Sequence, residues 1–248
     1  MAAAAAGGGG SPDHELKLLG STNPSPFVTR VELALALRGL TYDLVAVDLD
    51  RKTDLLLAAN PVHAKVPVLI HRGRPVCESR VILEYIDDAF PFPGGGGPPL
   101  LPPADDPLAR AAARFWAAHV DDEFVASWRP AYLGSTEGER AEGMARMAAA
   151  VGALEGALAA AEGKPFFGGD APGLVDVTLG SVIPRTRANE ALTGTRVLDA
   201  ARTPLLAAWA ERFGELDAAR KVLPAVGDVV EYLETRLRRS NVVIARKQ

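Results

Sequence analysis

Apolar residues along this chain change their spacing at about residue 104, from short runs to long helical stripes. Leu16 to Leu19 is a short apolar run ending at Gly20, which predicts a strand. Pro24 and Pro26 flank Ser25 and place it at a strand-to-helix turn. Phe27, Val31, Ala34 and Leu35 then follow the i, i+4, i+7, i+8 spacing of one buried helix face. Gly39 is placed to end that helix. Tyr42 to Val47 alternates and predicts a strand. Leu55 to Leu57 predicts a short helix closed by Asn60-Pro61. Val66 to Ile70 and Pro75 to Cys77 predict two strands joined around Arg72-Gly73, a hairpin signal. Ile82, Tyr85, Ile86 and Ala89 form the apolar stripe of a further helix.

The resulting order is β-α-β-α-β-β-α, the plan of a thioredoxin-like α/β domain. The stretch PFPGGGGPPLLPP cannot form regular structure, because Gly costs backbone entropy and Pro lacks a donor. After it, helices are predicted over Leu108 to Val125, Glu139 to Glu162, Val175 to Ile183, Leu205 to Arg212 and Val226 to Arg238. Alanine is abundant there and β-branched runs are few, which suits an all-α helical bundle. The predicted organisation is an Ala/Gly-rich tail at 1–14, an α/β domain at 15–91, a linker at 92–103, an all-α domain at 104–240 and a short tail at 241–248.

Composition narrows the classes. Across 248 residues, 48% are apolar, so a sizeable core is available, and the net charge is -4. An acidic chain has no electrostatic reason to bind nucleic acid or an anionic membrane. No run approaches the ~18 apolar residues of a membrane span. The first residues lack a basic n-region and a Leu-rich stretch, so no signal peptide is expected. One cysteine, Cys77, excludes an intrachain disulfide and a cysteine metal cluster. Its setting is that of a small buried hydrophobe. These features suit a cytoplasmic protein without a metal.

The chemistry-bearing residues cluster in the first domain. A hydroxyl at a helix N-terminus, as at Ser25, either caps that helix or donates to an anion seated there, helped by free N–H groups and the dipole. Pro67 interrupts a strand pattern and so belongs at an edge or in a special geometry. Glu78-Ser79 opens a helix: its N–H groups and the Ser79 hydroxyl suit a carboxylate, and Glu78 suits an ammonium, or the pair simply caps the helix. Lys52 and Lys65 read alone as solvated surface residues.

Taken together, KTDLLLAANPVHAKVPVLIHRGRPVCES and the upstream NPSPF resemble the plant tau-class glutathione transferases, over roughly Leu16 to Arg238. The resemblance implies a cytosolic glutathione transferase fold and, in these enzymes, a soluble homodimer. It implies that Ser25 is the catalytic serine stabilising the thiolate of glutathione, the co-substrate. Lys52, Lys65, Val66, Pro67, Glu78 and Ser79 would bind glutathione, with a cis bond before Pro67 and the Val66 backbone pairing with the cysteinyl part. Asp121 would approach the γ-glutamyl amine from the partner subunit. Asn23, Phe27, Val125, Arg129 and Tyr132 would line the pocket for hydrophobic electrophilic small molecules. Asn23 stands where the family usually has an aromatic, and Ala64 where it often has a second basic residue. Asp176, in the helix-initiating stretch after Phe166-Phe167-Gly168-Gly169-Asp170, would cap backbone N–H groups. The implied activity is conjugation of glutathione to electrophiles, with glutathione-dependent peroxidase activity beside it. A non-catalytic carrier of hydrophobic small molecules is the alternative, and a scaffold that has lost the glutathione site is a third reading.

Overall fold

The computed structural model describes residues 16–92 and 96–239. The tails expected at 1–14 and 241–248, and part of the expected linker, lie outside the described residues.

The first part comprises β1 (Leu16–Ser21), α1 (Pro26–Leu37), β2 (Asp43–Val47), α2 (Asp54–Ala59), β3 (Val68–His71), β4 (Arg74–Cys77) and α3 (Ser79–Ala89). The sheet order is β2-β1-β3-β4, with β1 parallel to β2 and the other pairs antiparallel. Leu18 sits opposite both Leu44 and Leu69. Alternation along the strands sends Leu18 and Leu69 to one face, where α1 and α3 bury them with Leu33, Ile82 and Ile86. Leu19 and Val68 point to the other face and meet Leu56 of α2. Helix α1 ends as Gly39 predicts. That residue has φ 66, and its N–H bonds to Ala36 while the next N–H bonds to Leu35. The strand expected from Val66 starts only at Val68, because Pro67 has no N–H for the ladder.

A buried ion pair ties the end of α1 to the chain that leaves α3. Arg38 bridges Asp87 at 3.2 Å and donates to the carbonyl of Phe90. Asp87 also accepts from the N–H groups of Leu100 and Leu101 at 2.8 and 2.7 Å. The last turn before the linker is therefore held to Leu100 and Leu101 near the linker's far end.

The second part is helical: α4 (Pro107–His119), α5 (Ala126–Leu133), α6 (Glu137–Ala159), α7 (Leu174–Gly180), α8 (Ile183–Thr193), α9 (Pro204–Gly214), α10 (Asp217–Val222) and α11 (Val226–Arg239). The helix predicted over Leu108 to Val125 does not stop there. A π-helical turn at Val120–Val125 carries it into α5. The helix predicted over Val175 to Ile183 is cut after Gly180, and α8 starts anew with Pro184 in its first turn. Helix α6 opens on a capping box between Thr136 and Glu139. Helices α5 and α6 come together at Gly143, where an added Cβ would overlap the backbone of Pro130 and Ala131.

Asp176 anchors this part. It is fully buried and accepts from the N–H groups of Phe167 (3.0 Å), Gly168 (2.8 Å) and Gly173 (2.9 Å) and from Trp209 Nε1 (2.7 Å). Burial still pushes its carboxyl above the usual range. One side chain thus joins the loop before α7, the start of α7 and helix α9.

Candidate functional site

Ser25 occupies the N-cap of α1 with extended backbone (φ -129, ψ 114) and Pro26 at the first helical position. Its carbonyl accepts the first helical bond, from Thr29. Its side chain makes no capping hydrogen bond. The hydroxyl is therefore free at the positive end of a twelve-residue helix. Ser25 borders a cleft of about 310 Å³ that is also lined by Asn23, Thr29, Glu32, Leu44 and Pro224. It also borders a narrow hollow against Ser181, Pro184 and Arg185 of the helical part.

A second cavity, of about 160 Å³, lies past Phe27, which lines it together with Asn60, Lys65, Val66, Pro67, Glu78 and Ser79. The Val66-Pro67 peptide bond is cis. Buried Asn60 shapes the approach to it: its amide donates to the Lys65 carbonyl at 3.0 Å and its oxygen accepts from His63 N–H at 3.1 Å. Glu78 has φ 69, a left-handed conformation uncommon for a residue with a Cβ. This strained turn lies on the cavity wall and starts α3 there, with Ser79 buried at its first position.

Arg30 is the organising cation. It is fully buried, and its Nη1 donates to Ser79 Oγ at 3.1 Å and to Asp121 Oδ2 at 3.0 Å. Its Nη2 donates to Asp121 Oδ1 at 2.6 Å. The guanidinium also stands over the Phe27 ring, 5.3 Å from its centre. Arg80 Nε lies 3.5 Å from the same Asp121 carboxylate. The bidentate pair fixes the π-helical turn of the helical part to α1 and the start of α3.

The other expected site residues fall in several places. Lys65 lines the smaller cavity, whereas Lys52 is exposed ahead of α2 and lines none of these spaces. Asn23 is exposed, and its N–H donates to Ser21 Oγ. Val125 ends the π-helical turn and exposed Arg129 lies in α5. Tyr132 is buried, with its hydroxyl donating to Met147 Sδ at 3.6 Å, so its tip is turned into the helical core. Burial raises its hydroxyl pKa. None of these last three lines the spaces around Ser25. Cys77 donates to the Ala59 carbonyl at 3.4 Å, and burial, then the neighbouring Glu78, push its thiol up. Sequence reading missed Arg30 and Asn60. Arg30 did leave a signal: it stands three residues after Phe27, a cation within the apolar stripe of α1.

Among the described residues no group of His, Cys, Asp or Glu could hold a metal ion. Among the described residues no helix is long and apolar enough to cross a membrane.

A sheet of this order followed by helices, with a cis-proline cavity and a free serine hydroxyl at the start of α1, finds close counterparts among known proteins. A family model for the glutathione S-transferase N-terminal domain matches residues 19–99. A model for the C-terminal domain matches residues 137–212. A probable glutathione S-transferase, GSTU6 of Oryza sativa subsp. japonica, is 51% identical over 227 residues, covering 90% of this chain and 95% of the relative. The crystal structure of a tau-class glutathione S-transferase from mango, Mangifera indica, superposes with a TM-score of 0.82 at 36% identity, covering 89% of this chain and 98% of that one. Rice GST1 (OsGSTU1), solved in complex with glutathione, has a TM-score of 0.82 at 39% identity, covering 92% and 99%. The chain belongs to the glutathione S-transferase family, in its plant tau class. It is a glutathione transferase, and glutathione is its co-substrate.

Proposed function

We propose that Ser25 is the catalytic residue and that it holds glutathione as a thiolate for attack on hydrophobic electrophiles. The observation that carries this is the Ser25 hydroxyl, left without a capping bond at the N-terminus of α1. Lowering a thiol pKa from about 8.5 to about 6.5 needs roughly 2.7 kcal/mol of preference for the charged form. A hydrogen bond to a charged acceptor contributes about 1.5–3 kcal/mol. A helix terminus adds about 0.3–1 kcal/mol. The two together are of the required size.

Glutathione is read into the smaller cavity. There the Val66 backbone meets its cysteinyl part, Glu78 its ammonium, the Ser79 hydroxyl and adjacent N–H groups its α-carboxylate, and Lys65, with Lys52 closing in, its glycyl end. Pro67 shapes the wall. The electrophile takes the space on the other side of Ser25, beside Asn23, while Phe27 lines the glutathione cavity and Val125, Arg129 and Tyr132 line neither space around Ser25. The thiolate attacks the electrophilic carbon, the leaving group departs with its electron pair, and proximity adds to rate. Organic hydroperoxides are a second substrate class for the same thiolate. A cytoplasmic homodimer is part of this reading. In it Asp121 faces the γ-glutamyl end of the partner's glutathione while held by Arg30.

The test is conjugation of glutathione to a chlorinated nitroaromatic by the wild type and Ser25→Ala, with calorimetric glutathione binding on both. At neutral pH the variant should lose about 25-fold in turnover, the fall in thiolate fraction as the thiol pKa returns from about 6.5 to about 8.5, and keep most glutathione affinity. Full turnover in Ser25→Ala would refute the assignment. Binding without turnover in either protein would favour the carrier, for which the open 310 Å³ cleft provides the space.

A further inference from the structure

Arg185 stands out among the buried cations of this chain. Arg30 and Arg38 are fully buried, and each is matched by a carboxylate, Asp121 and Asp87. Arg185, half-buried in the first turn of α8, has no carboxylate within ion-pair distance among the described residues. Its Nε is buried and makes no hydrogen bond. Its guanidinium lies over the Trp128 ring, 5.8 Å from the centre. Loss of solvent pulls its pKa down to about 10 and nearby Arg236 adds like charge, while Tyr232 and Tyr132 act the other way without supplying a carboxylate. An uncompensated, partly desolvated cation is costly unless a counter-charge arrives.

Its location says where the counter-charge would come from. Arg185 lines the narrow hollow whose opposite wall is Pro24, Ser25 and Thr29. That hollow holds about 10 Å³, roughly the space of one oxygen-sized group. The wider cleft on the other side of Ser25 carries the carboxylates of Glu32 and Asp228. Glu32 has no ion-pair partner among the described residues, only a 3.4 Å hydrogen bond from Tyr42. An anionic group is repelled from that cleft and drawn to the hollow beside Arg185.

We propose that Arg185 is a specificity-determining residue that seats an anionic group, a carboxylate or its equivalent, of the electrophile. This rests on the reading of Ser25 given above. With an aryl chloride carrying a carboxylate, the carboxylate pairs with Arg185, the thiolate sulfur bonds to the ring carbon, and chloride leaves with the C–Cl electron pair. The thiol proton has already passed to solvent, and nothing is oxidised or reduced.

The experiment compares kcat/KM for a chloronitrobenzoate and the corresponding neutral chloronitrobenzamide in the wild type, Arg185→Leu and Arg185→Lys. The ratio is internal to each protein, so a loss of folded enzyme cancels. The benzoate-to-benzamide ratio should fall at least about tenfold in Arg185→Leu, the loss of one charge-assisted hydrogen bond, and recover in part in Arg185→Lys. Calorimetric binding of the two inert S-aryl glutathione conjugates should show the same change in ratio. A ratio indifferent to Arg185, or an equal loss on both electrophiles, overturns the anion seat and leaves the transferase reading standing. Binding of both conjugates without turnover of either electrophile overturns the transferase reading, while the conjugate-binding ratio still decides the role of Arg185.

Discussion

Replacing Arg30 with leucine tests whether one buried cation holds the two parts of the molecule in working register. Leucine keeps an apolar stem but removes three donated hydrogen bonds, two to Asp121 and one to Ser79. The carboxylate left behind is only 15% exposed. Breaking a buried pair from one side costs about 3–5 kcal/mol. The lower end, about 3 kcal/mol, applies here because Asp121 keeps Arg80 at 3.5 Å and some contact with solvent. For a chain of this size that lowers Tm by about 6–12 °C. Urea unfolding followed by tryptophan fluorescence reads the stability, and calorimetry reads glutathione affinity, which should weaken as the Ser79 hydroxyl loses its donor. The double variant Arg30→Leu/Asp121→Leu should recover most of the stability, since removing both partners leaves no stranded charge. A stability loss below about 1 kcal/mol, or a double variant no better than the sum of the singles, would refute the reasoning.

Asp176→Ala leaves two fully buried donors, Gly173 N–H and Trp209 Nε1, without an acceptor, and should cost about 2–6 kcal/mol in urea unfolding. Gly143→Ala pushes a methyl into the backbone of α5 and should cost about 1–3 kcal/mol, read by thermal melting with helicity otherwise kept. Cys77 has a folded pKa above that of a free thiol, so it holds a smaller thiolate fraction at any pH below its own value, pH 8 included. Its alkylation by iodoacetamide at pH 8 should be slower than that of free glutathione, and Glu78→Gln, by removing the adjacent negative charge, should speed it. Equal rates for Cys77 and glutathione would contradict the burial argument.

The first part of the chain was legible because its signals are local. Gly39, Arg72-Gly73 and the apolar runs around Leu18 and Leu69 each specify a turn or a strand without outside help. The ladder was misjudged by two residues at Val66 and Pro67, where a missing N–H outweighed an apolar pattern. Helices α8 and α10 escaped notice because IPRTRANEALT is mostly polar and DAARKV spans only six residues. Their burial comes from neighbours distant in sequence. The same holds at the site. Ser25, Glu78 and Ser79 stood out by position within their own helices, but whether the Ser25 hydroxyl was spent on capping could be read only from the fold. Arg30 became meaningful once Asp121, 91 residues away, was seen to meet it.

The π-helical turn between α4 and α5 acts as a phase shifter. A helix advances by about 100° per residue, so the one extra residue of a π turn rotates everything downstream by that angle relative to an unbroken helix. Here the turn presents Asp121 to Arg30 at its start. After it, α5 emerges with Trp128 beneath Arg185. A single-residue deletion within Val120–Val125 would restore a regular helix and leave Asp121 nearly in place. It would swing Trp128 about a third of a turn away, separating the part that clasps the two halves together from the part that supports Arg185.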